Sequence, residues 1–127
     1  MKPKFRVWTE EGEVMYHDVY PFKDDTLLLS YDEIAFDEVP ASDFILMQST
    51  GLKDKNGKEI YEGDIVKYKY VVNAFTGAVT YNKDFAGFGL VDDGGYFFTF
   101  GELAEDIYFS SLEVVGNIYE NPELLEG

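Results

Sequence analysis

His17 is the only histidine in this chain, and cysteine is absent. These two facts bound the available chemistry. No thiol nucleophile, disulfide framework or cysteine-based zinc site can be built, and one histidine cannot make a multi-histidine metal centre. His17 lies between Tyr16 and Asp18 in strand-like sequence. Consecutive strand residues point to opposite faces, so Asp18 is not placed to orient the ring for general-base work. His17 therefore reads as a partly exposed strand residue.

Carboxylates are plentiful, and several groupings resemble sites. Residues Asp54 to Glu59 (DKNGKE) look superficially like a calcium loop. Their glycine is fourth in the run where such a loop needs it sixth, and no bidentate acid follows at the right distance. A hairpin tip with Lys55 and Lys58 exposed fits the run better. The pairs Asp24-Asp25, Asp92-Asp93 and Glu105-Asp106 could offer oxygen ligands to Mg²⁺ or Ca²⁺, but adjacent acids in turns read first as a solvated face. Ser110-Ser111 lack the strand-turn-helix setting of a nucleophile elbow. Gly87-Phe88-Gly89 is followed by neither a lysine nor a helix signal, so it is no phosphate loop. No metal site, cofactor or catalytic constellation is expected, and the chain reads as a non-enzyme.

The most function-like feature is cationic. Lys67-Tyr68-Lys69-Tyr70 is flanked by Lys53, Lys55 and Lys58 upstream and by Tyr81 and Lys83 downstream. Small barrels bind single strands by stacking bases on exposed aromatics beside such lysines. Lys55, Lys58, Lys67, Lys69 and Lys83 are accordingly the candidate binding residues. Strand alternation argues against the stacking half of this reading. Tyr68 and Tyr70 share a face with Val66 and Val72, which points them to the core and leaves the lysines outside.

The elements that must carry these residues follow from composition and pattern. The 127 residues (14.5 kDa) are one domain's length. The apolar share is 46% and the aromatic share 17%, which opposes disorder. Folding a chain of this size buries roughly two-thirds of its extended surface, enough for a core without metal or disulfide. No apolar run approaches the ~20 residues of a membrane helix. No apolar signal core follows the first charged residues, so a cytoplasmic protein is expected. The formal net charge is −15, from 25 acids and 10 bases. Residues 24–52 hold seven acids and no base, and residues 84–127 hold ten acids and no base. Residues 53–83 hold six lysines and four acids. Such a balance opposes binding to duplex nucleic acid or anionic membrane.

Alternation over residues 4–20 predicts a β-hairpin, with Phe5 and Val7 on one face. Leu27-Leu28-Leu29 is a short apolar run, residues 33–39 are a short strand or irregular, and Phe44 to Met47 read as a buried strand. Asn56-Gly57 predicts a two-residue hairpin turn with both central positions at positive φ. Strands are expected over 65–72, 77–82, 85–91, 96–100 and 112–119, with one or two helical turns over 102–107. Tyr96, Phe98 and Phe100 form one stripe, expected in the core. Were both faces of that strand apolar, one would serve a subunit or partner interface, which leaves a homo-oligomer open. Asn121-Pro122-Glu123 predicts a short C-terminal helix docked by Leu124 and Leu125. About five short strands after residue 64 suggest a small, strongly bent barrel or sandwich, with the 4–20 hairpin packed against it.

Three stretches carry a resemblance: KFRVW at 4–8, TGLKDKNGKEIYEGDIV at 50–66 and LEVVGNIYENPELL at 112–125. In this order the set resembles the YopX family of small phage and prophage proteins. The resemblance implies an SH3-like β-roll or small barrel over residues 51–120. To this it adds N-terminal strands within 1–50; with the short helix expected from Asn121-Pro122-Glu123 at 121–127, the chain reads as one domain of a mostly β protein. It also implies a phage or prophage origin in a bacterial host, and it brings no activity, ligand or catalytic residue. The reading that follows is a non-enzymatic interaction module whose acidic exterior meets a host or phage protein. The alternatives are an acidic mimic of nucleic acid that blocks a host DNA-binding protein, and single-strand binding through residues 53–83.

Overall fold

A computed structural model of the chain describes residues 4–70, 72–92, 94–100 and 112–125, excluding the side chain of Tyr70. The protein is mostly β. It divides into two compact units, Met1–Ser49 and Thr50–Gly127.

In the first unit, β1 (Phe5–Thr9) pairs antiparallel with β2 (Val14–Tyr16), setting Val7 opposite Tyr16. On its other side β1 pairs with the start of β6 (Ile45–Lys53), Val7 opposite Leu46. The predicted hairpin exists, but its second strand is shorter than expected. The chain leaves the first sheet after Tyr16, and Val19–Pro21 becomes β3 of another. There β4 (Thr26–Leu29) lies between β3 and β5 (Asp37–Pro40). Alternation continues through His17 and Asp18, so the pattern carries no sign that the pairing partner changes.

Side-chain period explains the core of this unit. Leu27 and Leu29 share one face of β4 and are buried, as are Val7 and Val19. Phe5, Tyr16, Val39, Ala41 and Phe44 pack against this cluster. Each such aliphatic side chain contributes about 1.5–3 kcal/mol on burial. Arg6 and Trp8, on the opposite face of β1 by alternation, are buried as well. A 3-10 turn at Ala41–Asp43 connects β5 to β6.

In the second unit, β7 (Glu59–Tyr61) neighbours β6, and the Thr50 hydroxyl donates to the Ile60 carbonyl at 2.8 Å. The remaining strands are β8 (Asp64–Tyr70), β9 (Asn73–Asn82), β10 (Gly87–Val91), β11 (Phe97–Thr99) and β12 (Glu113–Asn117). They form one antiparallel sheet in the order β11-β10-β9-β8-β12, curled into half a barrel. Its core is Ile60, Val66, Val79, Leu90, Phe100 and Leu112, with Leu52, Tyr68, Phe88 and Val114 against it. A bulge at Val115 lets Gly116 face Ile65 while Val114 faces Val66.

Several sequence expectations change here. The strand expected from residue 77 begins at Asn73, because β8 supplies it with partners from the turn onward. Of the aromatic stripe, only Phe100 is core; Phe98 is 36% exposed and Tyr96 71% exposed. β11 is an edge strand of its sheet, so period 2 there does not imply cover. The expected C-terminal helix is a lone 3-10 turn, Pro122–Leu125, and both its leucines are exposed. Asn121 does not cap it with its side chain, whose carbonyl oxygen instead accepts the Asn117 N–H at 3.2 Å. The expected helical turns at 102–107, along with Val71, Asp93, Glu105, Asp106, Ser110 and Ser111, lie outside the described residues.

Candidate functional site

The polar residues of the two longest distinctive stretches hold backbone. Asp54 is buried, and its Oδ1 accepts the N–H groups of Asn56 and Lys58, each at 2.9 Å. Its Oδ2 accepts the N–H of Val114 on β12, also at 2.9 Å. Burial opposes ionisation of this carboxyl, but the Val114, Lys58 and Asn56 donors and the Lys58 charge outweigh it. The carboxyl is held below the ordinary aspartate value. The predicted two-residue turn is in fact a three-residue loop. Asp54 and Lys58 pair at its base, Gly57 N–H donates to the Asp54 carbonyl, and only Gly57 takes positive φ, at 82°. The Asp54 side chain selects this geometry by collecting two amides inside the loop.

The neighbouring Asp64 is buried and accepts the Tyr61 N–H at 2.7 Å, closing the turn into β8. At the other motif, the Asn117 side-chain oxygen accepts the N–H groups of Tyr119 (3.0 Å) and Glu120 (2.8 Å). The stretches that distinguish the chain are thus structural staples.

The five candidate lysines are all exposed; Lys55 and Lys67 lie beside Glu113, with Lys69 two residues further along β8, and Lys83 stands apart from them. Lys67 lies opposite Thr76 on β9 and Glu113 on β12, and Lys69 lies opposite Ala74. Lys55 reaches Glu113 at 3.8 Å, so Glu113 stands between two of the candidates. Lys58 sits in the β6–β7 loop. Lys83 follows Asn82 at the far end of β9, about 23 Å along the strand from the Lys67 register. Tyr68 packs against the core and stacks on Phe75 at 5.7 Å, so its ring is engaged from within the unit.

Among the other candidates, His17, Asp24 and Asp25 are exposed. Asp92 spends Oδ1 on the amides of Gly94 (3.0 Å) and Tyr96 (2.9 Å), which is turn chemistry. Among the described residues, no three of His, Cys, Asp and Glu are grouped to hold a metal ion.

The first unit contains a feature that sequence reading missed. A cleft of about 360 Å³ opens between the β1–β2 turn and the strand-turn segment at residues 39–44. Tyr16 and Tyr31 line it, their rings 5.1 Å apart and nearly perpendicular (89°). Val39 and Phe44 give it an apolar floor, and Glu11 and Asp43 bring carboxylates to it. Partial burial, with Tyr16, Asp37 and Asp43 adding to it, pushes the Tyr31 phenol above the ordinary tyrosine value. No local pattern could have signalled this site. Its lining comes from four separated stretches: the end of β1 with the hairpin turn, β2, the loop before β5, and the run from β5 through the 3-10 turn to Phe44.

Two antiparallel β units, one of them a curled half-barrel, with polar motif residues turned to backbone duty, define the class of protein. The chain matches the YopX protein family over residues 4–126 and belongs to that family. It is also similar to protein EF1440 from Enterococcus faecalis, known from a crystal structure. The two share 30% identity over 99% of each chain, with a TM-score of 0.70. No curated protein matches the chain. No helix among the described residues is long and apolar enough to cross a membrane.

Proposed function

We propose that this chain is a non-enzymatic interaction module that offers an acidic exterior to a basic face of a host or phage protein. Membership of the YopX family supports a phage or prophage origin and action in the bacterial cytoplasm, and the curled sheet of the second unit is consistent with an SH3-like roll. One contrast carries the functional reading. Asp54 and Asp64 are buried and hold backbone amides, whereas all seven acids of residues 24–52 are exposed, in a stretch without a single base. A surface of one sign raises the encounter rate with oppositely charged partners and sets their orientation more than it sets raw affinity.

The test is affinity capture from host lysate at low and at high salt, with identification by mass spectrometry. The expected result is one basic protein, retained at low salt and released at high salt. It should be lost when Asp24, Asp25, Asp37 and Glu38 are replaced by their amides. Retention of no protein at low salt, or turnover of a substrate by the purified chain, would overturn the proposal.

A further inference from the structure

We infer that the Tyr16–Tyr31 cleft of the first unit is a receptor for one guanidinium group, the arginine side chain of a partner protein. The inference rests on the reading of the chain as an acidic interaction module and says where and how a basic partner would be read.

The cleft's volume, about 360 Å³, falls within the range that holds small ligands. Tyr16 is anchored, since it packs against the core of the unit and pairs with Val7 across β1. Tyr31 is 52% exposed and its ring stands nearly perpendicular to that of Tyr16, so much of its surface is open to an occupant. Electron-rich tyrosine faces attract cations within about 6 Å, arginine more often than lysine. Glu11 and Asp43 in the lining are carboxylate acceptors of the kind that a planar, five-donor fork pairs with, and the described lining holds no Lys or Arg. Asp37 and Asp43 also act on the Tyr31 phenol, so their charge reaches the site, and the phenol stays neutral across the physiological range. An anionic ligand would meet two carboxylates here without a counter-charge. A purely apolar ligand would leave them desolvated. A guanidinium on an aliphatic stem matches both the apolar floor and the charged rim.

The experiment is an amide-resolved NMR titration of the full chain with N-acetyl-arginine amide, and with N-acetyl-citrulline amide as the neutral isostere. Shifts should concentrate at Gly12, Tyr16, Tyr31 and Asp43 with the arginine probe and be absent with citrulline. Tyr31→Ala and Asp43→Asn should each weaken binding about fivefold or more, while Tyr31→Phe retains it. The wild-type pattern of amide peaks elsewhere confirms that each variant is folded. Shifts spread over the acidic surface, equal shifts with citrulline, or affinity unchanged in both loss variants would overturn the inference. If the probe leaves the cleft untouched while a protein is still captured from lysate, the cleft assignment fails and the module reading survives. If the probe binds in the cleft and no protein is captured, the arginine receptor stands and the module reading fails.

Discussion

The Asp54 carboxylate accepts the N–H of Val114 at 2.9 Å, joining two residues 60 positions apart in the chain. One side chain therefore shapes the loop between β6 and β7 and ties it to β12. The adjacent bond from Lys55 N–H to the Leu112 carbonyl, at 2.9 Å, makes the tie double. Asp54→Asn keeps an oxygen for the loop amides but presents an NH₂ group to the Val114 donor. It should cost about 1–3 kcal/mol in urea unfolding, the range for leaving a buried donor unpaired.

That same carboxylate makes a signed prediction with pH. Its folded value lies below its unfolded one, so its contribution is complete above the ordinary aspartate value of about 3.9. It is lost as pH falls through the lower folded value. The stability gap between the native chain and Asp54→Asn should therefore hold steady from neutral pH down to about 4 and close below it. A gap that grows on acidification would contradict the assigned shift.

Two glycines separate backbone from side-chain crowding. A Cβ on Gly89 would collide with the carbonyl oxygen of Phe98, its neighbour strand's backbone. A Cβ on Gly116 would meet Asn121 Oδ1 at 2.6 Å and Leu124 Cδ1 at 2.9 Å, both side-chain ends. Gly89→Ala should destabilise by about 3 kcal/mol or more, because β10 and β11 must part. Gly116→Ala should cost about 1–2 kcal/mol, as Asn121 moves aside and gives up its bond to Asn117. Thermal melts of the two variants should rank in that order.

The net charge of −15 opposes compaction through self-repulsion. Raising salt from a low level to the physiological range shortens the screening length to about 8 Å and should raise the melting temperature. An unchanged melt would refute this.

The exposed lysines should matter little to the fold. Lys55→Ala removes the Glu113 contact at 3.8 Å and should change stability by less than about 1 kcal/mol. Because Glu113 interrupts the group and Lys83 lies at the far end of β9, a labelled single-stranded oligonucleotide should show no anisotropy change at low salt. Binding that Lys67→Glu abolishes would restore the single-strand reading.

Much of the strand inventory was legible in the chain itself, since apolar alternation and turn residues act locally. Phe5 and Val7 on one face, β8 with Val66 and Tyr68 inward, and a turn at Asn56-Gly57 all follow from period 2 and backbone preference. The family was legible too, because its stretches are runs of consecutive residues. What those stretches do was not: Asp54, Asn117 and Gly116 act through partners that only folding brings near. The break of one expected strand into β2 and β3, the exposure of Tyr96 and Phe98 at a sheet edge, and the meeting of Lys55 and Lys67 at Glu113 likewise depend on which strands become neighbours. The Tyr16–Tyr31 cleft is the clearest case, assembled from four separated segments. Local sequence determines which residues can form strands and turns; long-range pairing decides which side chains meet, because the favourable contact comes only after the entropy of closing the intervening loops has been overcome.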